Sequence, residues 1–137
     1  MDDYEEGYHV PTIVGSSSGS WTTSTYTTLA YTKVGRVVHI GGYLNISSES
    51  SPSGSMRISL PFPVAALTHD SGNNSLTICL RGHNGSTALY NVSAAASEGT
   101  SYIELIAVNG NGSHTWIGDG HVDGSANIRI GGHYFTT

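Results

Sequence analysis

The sequence predicts an all-β domain, an antiparallel β-sandwich of jelly-roll type. Three observations point there. Roughly eight short runs alternate apolar and polar residues with the period-two rhythm of half-buried strands. Turn signals rich in Gly, Asn, Ser and Pro break these runs every 8–12 residues or so, the spacing of a sandwich or barrel. The composition, with 18 Gly, 20 Ser and 14 Thr but a single Lys, suits pleated strands and tight turns. No ten-residue stretch keeps Leu, Ala, Glu and Lys at helical spacing.

In chain order, "HVPTIV" (9–14) reads as extended, with Pro11 confining it to a sheet edge or a strand start. "TSTYTTLAYTKV" (23–34) alternates around Tyr26 and Leu29 and has room for two short strands. "RVVHIGGYLNIS" (36–47) carries the strongest pattern. Val38, Ile40, Leu44 and Ile46 fall on its core face, and Val37, His39 and Tyr43 on the other. Gly41-Gly42 inside that run predicts a bulge or a closely packed neighbour. "SSESSPSGS" (47–55) reads as a loop, and "MRISLPF" (56–62) as a strand with Met56, Ile58 and Leu60 inward. "SLTICLRGH" (75–83) alternates Leu76, Ile78 and Leu80 against Thr77, Cys79 and Arg81. An Asn84-Gly85 turn signal joins it to "NGSTALYNVSAA" as a hairpin, although residues 92–98 could also form one short helix. "SYIELIAV" (101–108) puts Ile103, Leu105 and Ala107 on one face, "NGNGSHTWIGDG" (109–120) is a loop or small hairpin, and "SANIRIGGHYF" (125–135) closes the chain with Ile128 and Ile130 inward.

The 137 residues fit one domain, and a net charge of −5 without a basic patch argues against nucleic acid as a partner. No apolar run approaches the ~20 residues of a helical membrane span, so membrane insertion is not expected. The opening "MDDYEEG" reads as the start of a piece cut from a longer protein. Cys79 is the single cysteine, so no intrachain disulfide forms; within "LTICL" it reads as a small core residue.

Several landmarks line up with a known family. "DDYEEG" (2–7), Pro11-Thr12, "YTKVGRVVHIGG" (31–42), "SGSMRISLPFPV" (53–64) and "IRIGGHYF" (128–135) occur in that order. The arrangement resembles the C-terminal receptor-binding domains of bacteriophage tail fibres and tail spikes. About 35 residues anchor the likeness, and they speak to architecture more than to ligand. His9 stands where the family's leading segment usually carries Trp. The resemblance implies a homotrimeric knob, with residues 1–12 leading in from a fibre shaft and residues 13–137 forming one β-sandwich domain. It also implies a place on the virion tail, outside the cell.

Few residues read as chemistry. Seven His are present, but no HxH, HExxH or CxxC spacing marks a zinc site. His114, Asp119, His121 and Asp123 cluster in "HTWIGDGHVDG", where a polar Gly-rich loop is the simpler reading than a metal site. Asp119 and Asp123 could pair for glycoside cleavage, but two acids in a turn more simply make a turn, and no GxSxG elbow marks a serine hydrolase. Sugar binding has the better case, because sugar rings stack on Trp or Tyr and their hydroxyls take hydrogen bonds from Asn, Asp, His and Ser. Trp21 and Trp116 both lie in Ser- or Gly-rich segments outside the strand patterns. Asn111, His114, Asp119 and His121 are their polar companions, with Tyr90 and Asn84 as a second set. Asn45, Asn73, Asn84, Asn91 and Asn111 stand in N-x-S sequons, read here as turns and strand faces rather than glycan acceptors.

The expectation is a binding module: a trimeric tail-fibre or tail-spike tip that attaches to a bacterial surface glycan, without catalysis or cofactor. Three other readings stay open: a trimerisation knob without a ligand, a fragment of a polysaccharide depolymerase or esterase, and a lectin unrelated to phage.

Overall fold

A computed structural model describes residues 3–83, 89–118 and 120–137. Eleven strands follow in order: β1 (Tyr4–His9), β2 (Ile13–Gly15), β3 (Ser18–Thr23), β4 (Thr28–Val34), β5 (Val37–Ser53), β6 (Met56–Ser59), β7 (Asn74–His83), β8 (Leu89–Ala96), β9 (Tyr102–Asn109), β10 (His114–Trp116) and β11 (Val122–Phe135). The helical content among the described residues is a single 3-10 turn at Thr68–Asp70. All strand pairings are antiparallel.

The chain is all-β and antiparallel, as expected. Where the sequence pointed to a sandwich, however, the strands form one continuous sheet that closes on itself. The order β5-β11-β7-β8-β9-β6-β2-β3 returns to β5 through the β3–β5 pairing, giving an eight-stranded, barrel-like ring. β1 and β4 extend it from the first half of β5, and β10 lies along β9.

β5 is the reason for closure. It is 17 residues long and offers one edge to two partners in succession, Val37–Tyr43 to β4 and Ile46–Ser53 to β3. The Ser-rich stretch 47–53, expected to be a loop, is its second half. Such a polar run stays extended because β3 satisfies its backbone groups. Closure thereby pairs the two ends of the eight-strand run with each other, edges that an open sheet would leave free.

Alternation places the core as predicted. Val38, Ile40, Leu44 and Ile46 of β5 are buried, as are Met56 and Ile58 of β6, Ile103, Leu105 and Ala107 of β9, and Ile128 and Ile130 of β11. Gly41-Gly42 makes no bulge, since both neighbouring strands pass it in regular register. The alternative expectation, close approach, holds at Gly42: a Cβ there would lie 2.5 Å from the Thr28 carbonyl oxygen.

Two expectations are corrected. Residues 92–96 are strand, not helix, because Ala94 and Ala96 pack into the core between β7 and β9. Cys79 is exposed rather than buried. It sits out of phase with the buried Leu76 and Ile78 and lies opposite Arg129 on the outer face. Lys33, beside the β4–β5 turn at Gly35, pairs with Asp3 of the same chain at 2.6 Å.

Candidate functional site

On β9 the inward positions are Ile103, Leu105 and Ala107, so Glu104, Ile106 and Val108 point outward. Residues directly opposite one another in an antiparallel pair share a face. The register sets His114 and Trp116 of β10 against Val108 and Ile106. On the other side of β9 it sets Tyr90 and Ser93 of β8 against the same two residues. The outer face of β8, β9 and β10 thus gathers Tyr90, Ser93, Ile106, Val108, His114 and Trp116. Tyr90 is 57% exposed and Trp116 is 43% exposed. A shallow groove of about 170 Å³ opens on this face, lined by Asn91, Ser93, Ile106, Ala107, Val108 and His114.

Local structure explains how this face is built. The register of β8 slips between Tyr90 and Ser93, and Asn91 adopts a left-handed φ of 49°. Such a bulge re-aims side chains, and Asn tolerates the conformation better than most residues. The β9–β10 hairpin is held by Asn109, whose Oδ1 accepts from the amides of Asn111 and Ser113 at 3.2 and 3.1 Å. Ile117, fully buried, anchors the far end of β10. Its amide donates to the Leu105 carbonyl at 2.9 Å, and its own carbonyl accepts from Met56 at 2.7 Å.

Farther along the same face, Glu104 Oε1 accepts from Arg57 Nε at 2.8 Å and from Ser55 Oγ at 2.8 Å. That hydrogen bond holds the Arg57 guanidinium above its ordinary range. The guanidinium carbon also stands 4.5 Å over the Tyr102 ring. This acid and this base satisfy one another.

The sequence-predicted residues divide accordingly. Trp116 and His114 come together on this face, and Tyr90 joins them. Asn111 sits at the tip of the adjoining hairpin, where its Oδ1 accepts from the Ser113 amide at 3.0 Å and shapes the turn. His121 is half-buried, with Nδ1 accepting from the Gly118 amide at 3.4 Å. Asp119 and Asn84 lie outside the described residues. Trp21 is corrected: it is 3% exposed and belongs to the core. The segment expected to be a loop is β3, and Trp21 Nε1 donates to the Val122 carbonyl at 3.3 Å.

Asp123 Oδ1 accepts from both the hydroxyl and the amide of Ser125, which holds its carboxyl below the usual range. Among the described residues no three His, Cys, Asp or Glu side chains converge as a metal site. The sequence reading missed Asn91, Ser93, Ile106 and Val108 as groove lining. Their signal was present in the outward phase of β9 and in the small polar residues of β8.

A larger hollow of about 340 Å³ lies between β1 and β4, bordered by Glu6, Gly7, Tyr8 and Tyr31. Two groups on its border, Tyr31 and Glu6, are already engaged. Tyr31 donates to Glu5 at 2.8 Å and Tyr4 donates to Glu6. We therefore place the candidate site on β8–β10, where the aromatic rings are exposed and the polar lining is open.

No protein-family model matches the chain, and no curated protein matches it. A solved structure of the Dettilon tailspike protein (gp208) does match, with a TM-score of 0.76 over 96% of this chain at 19% identity. The chain shares the fold of the matched segment of that protein. It spans 24% of the length of that tailspike chain.

Proposed function

We propose that this chain is a receptor-binding tip domain of a phage tail fibre or tailspike, attaching the virion to a bacterial surface polysaccharide. The observation that carries the reading is the exposure of Trp116 and Tyr90 on the two strands flanking β9, on a fold shared with a tailspike. Two exposed rings on the same face as a shallow groove suit the apolar faces of sugars, and Asn91, Ser93 and His114 in the groove suit their hydroxyls. The outer face of a sheet binds a polymer without enclosing it, so an internal stretch of a long glycan can engage.

The domain acts as a homotrimer in this reading. The leading segment leaves Tyr8 at 78% and Val10 at 70% exposure, apolar surface that a neighbouring copy would cover. The site binds without covalent chemistry.

The test uses the intact chain on host cells and on a glycan array. Trp116→Ala is expected to weaken binding at least about tenfold while the fold and oligomeric state persist, since half-exposed Trp116 adds little to the core. No binding by the unaltered chain to any host surface would favour a ligand-free knob. Release of oligosaccharide or acetate from host polymer would favour an enzyme instead.

A further inference from the structure

We propose that His39 and His133 form a two-imidazole site for a divalent transition-metal ion, Cu2+ or Ni2+, completed by water. His39 lies on β5 and His133 on β11, directly opposite one another. Both point to the outer face, and their ring centroids are 5.6 Å apart at a tilt of 50°. A metal–nitrogen bond of about 2.0–2.1 Å plus the ring radius puts each centroid about 3.2 Å from a shared ion. Two such ligands on adjacent positions of a tetragonal ion, about 90° apart, have centroids about 4.5 Å from one another, so the rings need to approach by about 1 Å through rotation about their side-chain bonds to close the site.

The frame is rigid and the approach is clear. The pairing of β5 with β11 runs through nine consecutive positions from Asn127 to Phe135 without a shift, which fixes the two backbones. The next pair along the same face is Gly41 and Gly131. A Cβ at Gly131 would meet nothing within 4 Å, and one at Gly41 only the Ile130 carbonyl at 3.8 Å. The edge of Phe135 backs the His133 ring at a centroid distance of 6.5 Å. Structural zinc sites take four protein donors, whereas no third protein donor converges here among the described residues. Two imidazoles with water suit the tetragonal preference of Cu2+ and Ni2+, and Cu2+ heads the affinity order.

The inference is independent of the glycan reading. Cu2+ and Ni2+ are titrated into the intact chain by calorimetry, and the Cu2+ form is examined by pulsed electron paramagnetic resonance. One ion per chain is expected, with two imidazole nitrogens coupled to the copper spin. His39→Gln and His133→Gln, both at exposed positions, each weaken binding at least about tenfold, while His114→Gln changes it less than about twofold. Unchanged affinity in the His39 and His133 variants, or coupling to a single imidazole, overturns the site; so does loss of binding in His114→Gln.

Discussion

Tyr134 is fully buried, and its hydroxyl meets both backbone groups of Phe62, accepting from the amide at 3.3 Å and donating to the carbonyl at 3.0 Å. Burial pushes its phenol above the ordinary value of 10.0, against a smaller opposing pull from the Phe62 backbone. The folded chain therefore keeps this proton where the unfolded chain releases it. The stabilisation is complete below about pH 10 and declines as the pH rises above that. Urea midpoints measured between pH 8 and pH 11 are expected to fall, and Tyr134→Phe should flatten the decline. At neutral pH the same substitution costs about 1 kcal/mol for the lost hydrogen bonds. Tyr4, which is exposed, and Tyr31, which is half-buried, are raised as well, by hydrogen bonds to Glu6 and Glu5. The two tryptophans set the limit of residue-level reading. Both stand in Ser-, Thr- or Gly-rich surroundings, yet Trp21 is core and Trp116 is surface. The difference lies in which face of β3 and β10 each occupies, and that is decided by long-range partners: Ile13 and Glu49 for Trp21, Ile106 for Trp116.

The central strands offer two glycines with opposite expectations. At Gly42 an added Cβ would lie 2.5 Å from the Thr28 carbonyl and 3.1 Å from the Leu29 Cα, backbone atoms that cannot swing away. Gly42→Ala should push β4 off β5 and cost about 1–3 kcal/mol. At Gly131, one strand over, the added methyl meets open space, so Gly131→Ala should change stability by no more than about 0.5 kcal/mol. Thermal melts of the two variants decide the contrast; equal losses would show that strand conformation, not packing, governs both positions. The sequence marked Gly41-Gly42 as special but could not choose between a bulge and close approach, because the choice depends on β4. Alternation made the inward faces of β5, β6, β7, β9 and β11 legible, since one face of each meets the core. The second half of β5 was not legible. Its residues are mainly Ser, and what makes it a strand is β3, some 30 residues earlier. The same holds for the site: the outward phase of β9 could be read, but its meeting with Tyr90 and Trp116 depends on the bulge in β8 and on the β9–β10 register.

At the scale of the molecule, closure through β3–β5 leaves β1 as an edge strand carrying acidic residues and exposed Tyr4 and Tyr8. Charge discourages indiscriminate edge pairing, while the exposed rings and Val10 are apolar surface that a single chain leaves uncovered. A trimer would resolve that tension by covering the leading segment with copies of itself in one closed arrangement. It would also present three β8–β10 faces together. An open groove on one sheet face would bind a sugar weakly, but linked sites raise avidity by about 10²–10⁴ without new contacts. Light scattering on the purified chain is expected to give a trimer, and Tyr8→Ser with Val10→Ser should shift it toward monomer without loss of β-structure by circular dichroism. The monomeric variant should then lose most of its attachment to cells while keeping the affinity of the single site for a short oligosaccharide. If the chain is monomeric from the start, or if the dissociated variant attaches as firmly as the parent, multivalency is not the source of adhesion and one face of β8–β10 must suffice alone.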